Sequence, residues 1–435
     1  MLSFYPARSA YPGRLRSAAR GPGLAALGVI AVAAGAVLPM LAVAQAHADI
    51  VRQKQQWVLD ALNAPAAWQI TRGSGVLVAV IDSGVDPAVS DLTGSVTTGP
   101  DLTGVHTPAT DPNWGAHGTW MASLIAGHGH GPGAEDGIIG IAPKARILSI
   151  RVITDRSDPG YAKYQNELPG RGQRELATAI KYAVEHHAKV ISMSLGYNAP
   201  SLIVRSALQF AMRRNVVVVA SSGNSGSAQL QRGHGHAPYS FPADYPGVIG
   251  VAAIGSTGQP AYFSSDNLSV QIAAPGVSIP AEGRDGHYWY VSGTSPACAL
   301  TAGVAALIKS KYPRMTAPQV RRAIIWSASN QPPGGYDDEI GFGTVDADSA
   351  LRLAGRIARQ YAGGLRTRAK IVDAGYYGGG RSGVPPVPVP PRGIRALLGW
   401  CGLAIAFLLL TLASLWRLAT GRATSRQLGA SSDPI

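Results

Sequence analysis

Cysteine is nearly missing from this chain. Only Cys298 and Cys401 stand among 435 residues. Cys401 falls in a C-terminal apolar run and Cys298 in a helix-like stretch of a globular region, so one would lie in lipid and the other in a core, and they cannot pair. The chain therefore does not rely on disulfides, even if it is exported. Charge is scarce too: charged residues make up 14% of the chain against 46% hydrophobic. That balance implies a large buried core, membrane segments, or both. Acidic residues are the scarcer sign, 25 against 38 Lys and Arg, for a net charge of +13. The surplus shows neither the clustering nor the motifs of a nucleic-acid binder. It reads as a basic surface with basic flanks around membrane segments. What the chain has in quantity is glycine (53) and proline (31), which predict many tight turns and some unstructured linker. The length accommodates one α/β core of about 250–300 residues with flanking segments.

Both ends read as something other than the fold. Arg14, Arg16 and Arg20 precede an apolar run from Leu24 to Val43, and Ala46-His47-Ala48 follows as a small-x-small cleavage site. Residues 1–48 are therefore expected to be a secretory signal peptide. The alternative is a retained anchor, since the run is long, although Pro39 breaks it. Near the other end, Leu397 to Leu415 carries no charge and approaches the length of a membrane-spanning helix. Trp400 and Trp416 sit near its ends, and Arg417, Arg422 and Arg426 follow. A transmembrane helix is expected over 394–416 with a cytoplasmic tail over 417–435, leaving the globular part on the outer side of the cell membrane. Between domain and membrane, 359–393 is a Gly/Pro-rich linker. Its Val384 to Pro391 segment alternates proline with valine, which favours an extended polyproline stalk.

From about residue 50 to 360, short apolar runs alternate with helical patterns. Val76–Ile81, Lys189–Leu195, Val216–Ala220 and Val248–Ile254 read as strands buried on both faces. Arg174–Ala188 and Leu202–Arg213 read as helices, and Thr316-Ala317-Pro318-Gln319 opens another with a capping-box pattern. The alternation predicts an α/β fold, a doubly wound and mostly parallel sheet with helices on both faces. Such sheets carry their sites at the carboxyl ends of strands.

Four segments stand at such ends. Asp82-Ser83-Gly84 closes the first apolar run. His117-Gly118-Thr119 precedes the apolar run Trp120–Ala126. Ser221 to Gly226, with Asn224 inside, follows the run Val216–Ala220. Gly293-Thr294-Ser295-Pro296 opens an Ala/Leu-rich helix reaching about Tyr312. Each has a plain reading alone: a turn cap, a structural histidine, an ordinary turn, an N-cap serine. Together they give Asp, His and Ser in one chain order, with an amide donor between His and Ser. An esterase-like hydrolase would present Ser, Asp, His instead.

The segments VAVIDSGVD (78–86), HGTWMASLIAG (117–127), ISMSLG (191–196), ASSGNSG (220–226) and SGTSPA (292–297) resemble the catalytic blocks and substrate strand of subtilisin-like serine proteases. The likeness runs from about Trp68 to Leu351. The layout of signal, protease domain, proline-rich stalk and membrane helix is similar to that of the mycosins associated with type VII secretion. The resemblance implies a serine endopeptidase with Asp82, His117 and Ser295 as triad and Asn224 as oxyanion donor. It implies a substrate-pairing strand at Ser194, Leu195 and Gly196, and a specificity pocket lined by Ser221, Ser222, Gly223, Ser240 and Phe241. Ser240 stands where relatives often have glycine, so a shallow pocket for a small or medium residue is expected. The peptidase domain is placed at 76–358. Residues 49–75 are too few for a folded pro-domain and are expected to wrap the core through Trp57, Val58, Leu59 and Leu62. The pattern departs at Trp120, where relatives often have histidine, and at Pro296 and Ala299-Leu300, where they have Met and Pro-His. The polar insertion Thr154–Arg174 is expected to overhang the substrate groove. No cofactor and no metal are expected. His128/His130 and His234/His236 lie in Gly-rich loops, and Glu135 and Asp136 alone suit a calcium loop. Expected partners are a protein or peptide substrate, the membrane and a type VII secretion complex, with no nucleic acid. The alternative is a non-catalytic scaffold for a membrane secretion complex.

Overall fold

The computed structural model describes residues 50–226, 236–362, 402 and 404–416. The strands are β1 (Leu77–Asp82), β2 (Val96–Asp101), β3 (His128–His130), β4 (Asp136–Ile139), β5 (Arg146–Arg151), β6 (Val190–Met193), β7 (Val217–Ser221), β8 (Ile249–Ile254), β9 (Ile272–Pro275), β10 (Ile279–Glu282) and β11 (Tyr288–Val291). The helices are α1 (Ile50–Ala61), α2 (Ala64–Trp68), α3 (Ala116–Ala126), α4 (Tyr161–Glu185), α5 (Leu202–Arg213), α6 (Thr294–Lys311), α7 (Ala317–Trp326) and α8 (Ala347–Ala362).

Seven strands form one sheet in the order β2-β5-β1-β6-β7-β8-β9, every pair parallel. Alternate residues of each strand feed opposite faces, as a pleated backbone requires. Val78 and Val80 join a core with α3, α6, α7 and α8, whereas Ala79 and Ile81 join a second core with α4 and α5. The continuous apolar runs of the sequence thus become strands covered on both sides. Their observed limits fall within one or two residues of the expected ones, β6 being the shortest relative to its run. Two antiparallel ribbons, β3 with β4 and β10 with β11, stand outside the sheet.

Local signals predicted the helices unevenly. α5 has the expected limits, and Thr316 N–H donates to Gln319 Oε1 at 2.8 Å as a capping box should. α4 is longer than expected, beginning at Tyr161 rather than Arg174. Most of the insertion 154–174 is therefore helix rather than loop. Pro169, Gly170 and Gly172 obscured this, but Tyr164 is buried with its hydroxyl on Val152 O, and Arg171 pairs with Glu167 and Glu175 one turn either side.

The segment before β1 lies on the domain. Val58, Leu59 and Leu62 are buried and Trp57 packs beside them. Gln55 exchanges two hydrogen bonds with the Ile139 backbone, extending the edge of β4. Arg52 donates to the carbonyls of Ala134, Asp136 and Gly137, and the Trp68 indole to that of Ile141.

The chain divides after residue 365 into two units. In the second, residues 404–416 are helical and exposed. Among the described residues no helix is long and apolar enough to cross a membrane. The rest of the expected span, the expected signal peptide, most of the linker and the tail lie outside the described residues.

Candidate active site

Asp82 closes β1 and is 1% exposed. Its Oδ1 accepts two bonds of 2.7 Å, one from Ser83 N–H and one from His117 Nδ1. Its Oδ2 is buried without a partner. The Asp82 carbonyl accepts Val152 N–H and Ile153 N–H, so the carboxylate is fixed to the end of the neighbouring β5. His117 lies in the first turn of α3. That helix runs close under the Asp82–Gly84 turn because Gly118 has no Cβ to strike the Gly84 carbonyl. Burial alone would lower the His117 pKa. The charge and hydrogen bond of Asp82, with a further contribution from Asp155, outweigh it and hold the imidazole above its ordinary 6.5. With Nδ1–H given to Asp82, Nε2 lies on the opposite edge of the ring.

Ser295 is the second residue of α6, where unpaired N–H groups and the helix dipole favour negative charge. Ser194 Oγ donates to the Ser295 carbonyl at 3.2 Å, tying the end of β6 to this turn. Asn224 is locked by its oxygen: Thr294 N–H and Thr294 Oγ1 donate to Asn224 Oδ1 at 2.9 and 3.0 Å. The amide NH₂ is left to face elsewhere. A Cβ on Gly293 would stand 3.3 Å from Asn224 Nδ2 and 3.7 Å from Ser295 N, so both donors border one small space.

The expected pocket residues gather nearby. Ser221, Ser222 and Gly223 leave β7, with Gly223 N–H on Thr294 Oγ1. Leu195 is buried, and Tyr197 and Phe241 exchange backbone bonds of 2.7 and 2.8 Å. Ser240 approaches both Gly196 and Gly223: a Cβ on Gly196 would collide with Ser240 Oγ, and one on Gly223 would lie 3.6 Å from it.

Two joined halves therefore emerge, Asp82 with His117 and Ser295 with Asn224 and Ser194. Among the described residues no hydrogen bond joins His117 to Ser295, and such bonds are often long in unliganded hydrolases. Sequence reasoning missed three groups, two of them on the His117 side of the site and the third in a separate network around Asp91. Trp289 packs at 6.2 Å from Trp120, which itself meets His117 edge-to-face at 6.2 Å. Asp155 accepts the His117 backbone N–H. Glu282 lies buried beside Asp91. None sits in a recognisable block, and only their position in space marks them.

The loop histidines have ordinary partners. His128 contacts the carbonyls of Gly129 and Thr93, His130 contacts Asp91 at 2.7 Å, and His236 contacts Asp338 at 2.9 Å. His234 lies outside the described residues. Among the described residues no cluster of His, Cys, Asp or Glu suits a metal ion.

Residues 73–343 match the Subtilase family. Fervidolysin of Fervidobacterium pennivorans is 34% identical over 68% of this chain, which spans 43% of fervidolysin's own length. Mycosin-3 of Mycobacterium tuberculosis is 32% identical over 79% of this chain and 80% of its own. The crystal structure of MycP1 from Mycobacterium smegmatis superposes with a TM-score of 0.55 at 29% identity, over 68% of this chain and 84% of that one. MycP3 protease from the type VII (ESX-3) secretion system does so with a TM-score of 0.54 at 32% identity, over 68% and 87%.

Proposed function

Because this chain belongs to the subtilase family and is a subtilisin-like serine protease related to the mycosins, we propose that Asp82, His117 and Ser295 form its catalytic triad. The observation that carries the assignment is the 2.7 Å Asp82–His117 contact, set at a strand end as a buried carboxylate with a spare oxygen. Ser295 Oγ attacks the peptide carbonyl as His117 Nε2 takes its proton. The carbonyl electrons move onto oxygen, which is met by Asn224 Nδ2–H and Ser295 N–H. Collapse breaks the C–N bond, the amine leaves with the proton from His117, and an acyl ester remains on Ser295. Water, deprotonated by His117, then hydrolyses the ester and restores the enzyme. Asp82 holds the imidazole in the Nδ1–H tautomer and steadies its charged form. An extended substrate pairs with Ser194–Gly196, and its side chain enters between that segment and Ser221–Gly223. Ser240 at the closed end favours a small or medium residue before the scissile bond.

We further propose that the protease acts outside a bacterial cell membrane, exported by the segment 1–48 and held by a span over 394–416. Its partner would be a type VII secretion complex, the setting that names its MycP1 and MycP3 relatives. A fluorophosphonate probe tests the triad: the full chain should be labelled and its Ser295→Ala variant should not. Labelling of both would overturn the assignment. Alkaline extraction of membranes tests the anchor, which a fully extractable chain would refute. If Ser295→Ala fully restores secretion in a deletion strain, the scaffold reading prevails.

A further inference from the structure

We propose that Asp155 is a second positioning carboxylate for His117, fixing the backbone of the histidine and setting a second negative charge beside it. The inference rests on the triad reading above. α3 has no cap of its own. The residue before it, Gly115, adopts φ 71° and offers no side chain, yet the first-turn N–H groups need acceptors. Two other elements supply them. His117 N–H donates to Asp155 Oδ2 at 3.3 Å, and Gly118 N–H donates to Ser83 Oγ at 3.1 Å. Burial raises the Asp155 carboxyl above its ordinary value, and the charge of His117 and the nearby Ser83 hydroxyl work against that rise. Asp155 and Ser83 thus each take one N–H of the first turn of α3, and Ser83 is the residue next to Asp82.

The turn that presents Asp155 is rigid. Asp158 N–H donates to the Asp155 carbonyl, and the buried Asp158 carboxylate binds Arg151 Nη2 at 2.6 Å, Gly160 N–H at 2.7 Å and Thr107 Oγ1 at 2.6 Å. Arg151 also donates to the Ser83 carbonyl at 3.0 Å. The carboxylate of Asp155 is therefore held in place rather than swung in from solvent. A negative charge at a helix N-terminus suits the dipole, and here the same charge faces the base. The ionisable groups facing His117 are Asp82 from β1 and Asp155 from the turn after β5. In the acylation step His117 becomes an imidazolium, and two anions stabilise it where a minimal triad has one.

A plain helix cap would matter for folding alone. A positioning charge also moves the protonation of His117. The test is the rate at which a small fluorophosphonate labels Ser295, followed from about pH 5 to about pH 10, in the full chain and in Asp155→Asn, which keeps an acceptor but loses the charge. The midpoint of the acid limb should fall by roughly one unit in the variant. The weaker base should also lower the plateau by about threefold, so that the variant labels faster than the parent at low pH and slower at high pH. Asp155→Glu should keep the parent midpoint. Should Asp155→Asn not fold, Asp155→Ser, a charge-free cap residue, must show the same displaced midpoint. A lowered plateau with an unmoved midpoint would reduce Asp155 to a cap and overturn the proposal. A parent chain that the probe does not label at Ser295 would instead overturn the triad reading itself.

Discussion

Among the described residues, two histidines lie 2.7 Å from a fully buried carboxylate: His117 from Asp82 and His130 from Asp91. They differ in what happens to the remaining atoms. Asp91 is saturated. Its Oδ2 accepts Ile138 N–H at 2.6 Å and the Tyr288 hydroxyl at 3.1 Å, while its own N–H is taken by Glu282, whose other oxygen holds Ser90. The network joins the β3–β4 ribbon to β10 and β11, in the region where Arg52 and Gln55 of α1 attach. Asp82 keeps one oxygen without a partner, and the ring edge of His117 opposite Asp82 carries no hydrogen bond among the described residues. The contrast lies in the acid: both oxygens of Asp91 are taken, which suits a structural role, whereas Asp82 keeps one oxygen over.

Substitution should separate the two pairs most sharply in turnover. Asp82→Asn should cost about 10⁴ in turnover, the scale set by triads whose acid no longer fixes the histidine tautomer. Asp91→Asn should leave the catalytic groups untouched, so peptide hydrolysis at a temperature where the variant is folded checks both. Next in size is Asn224→Ala. The loss measured for an oxyanion-hole asparagine in subtilisin, about 10²–10³ in turnover, sets the expectation, with KM nearly unchanged. Retention of near-full activity would remove Asn224 from the site. The structural pair answers to a stability measurement. Asp91→Ala strands Ile138 N–H and the Tyr288 hydroxyl and should cost about 3 kcal/mol in denaturant unfolding.

A smaller effect concerns pH. Burial, and then the charge of Asp91, raise Glu282 from 4.5 to about 7, and the partners of His130 outweigh its desolvation and raise it above 6.5. Both groups hold protons more tightly folded than unfolded. Their contribution is therefore full below the unfolded values and is lost as pH rises through the folded ones. Thermal stability should fall from about pH 4.5 to about pH 7 on account of Glu282. Glu282→Gln, which titrates in neither state, should flatten that fall. An unchanged slope would mean that Glu282 is ionised in the fold.

The legible parts of the fold were those where local signal and tertiary environment agree. β1, β6, β7 and β8 are buried on both faces, so their sequences are nearly all apolar, with Ser192 the one polar residue inside them and Asp82 and Ser221 at strand ends. α5 and the Thr316 cap are set by residues within one turn. β2 was illegible because its outer position leaves it half-exposed and Gly99-Pro100 breaks its pattern. The start of α4 was hidden behind Pro169, a residue type that ordinarily ends a helix. At the site, Asp82, His117, Asn224 and Ser295 each stood at a strand end or helix start with small residues around them, and their order on the chain was informative. Asp155 lies 38 residues from the histidine it caps, and Glu282 lies 191 from Asp91. No local pattern connects such pairs.

Sequence alone thus determined the layered α/β class and four strands of the central sheet, and pointed to the residue types proposed to react, because burial and helix capping act over a few residues and leave periodic marks. Tertiary structure decided which histidine faces a carboxylate with an oxygen to spare, which is sealed into a scaffold, and which anions share the first turn of α3. Those outcomes depend on hydrogen-bond partners brought together from distant strands, and the free atom that makes a site reactive is defined only once all its neighbours are in place.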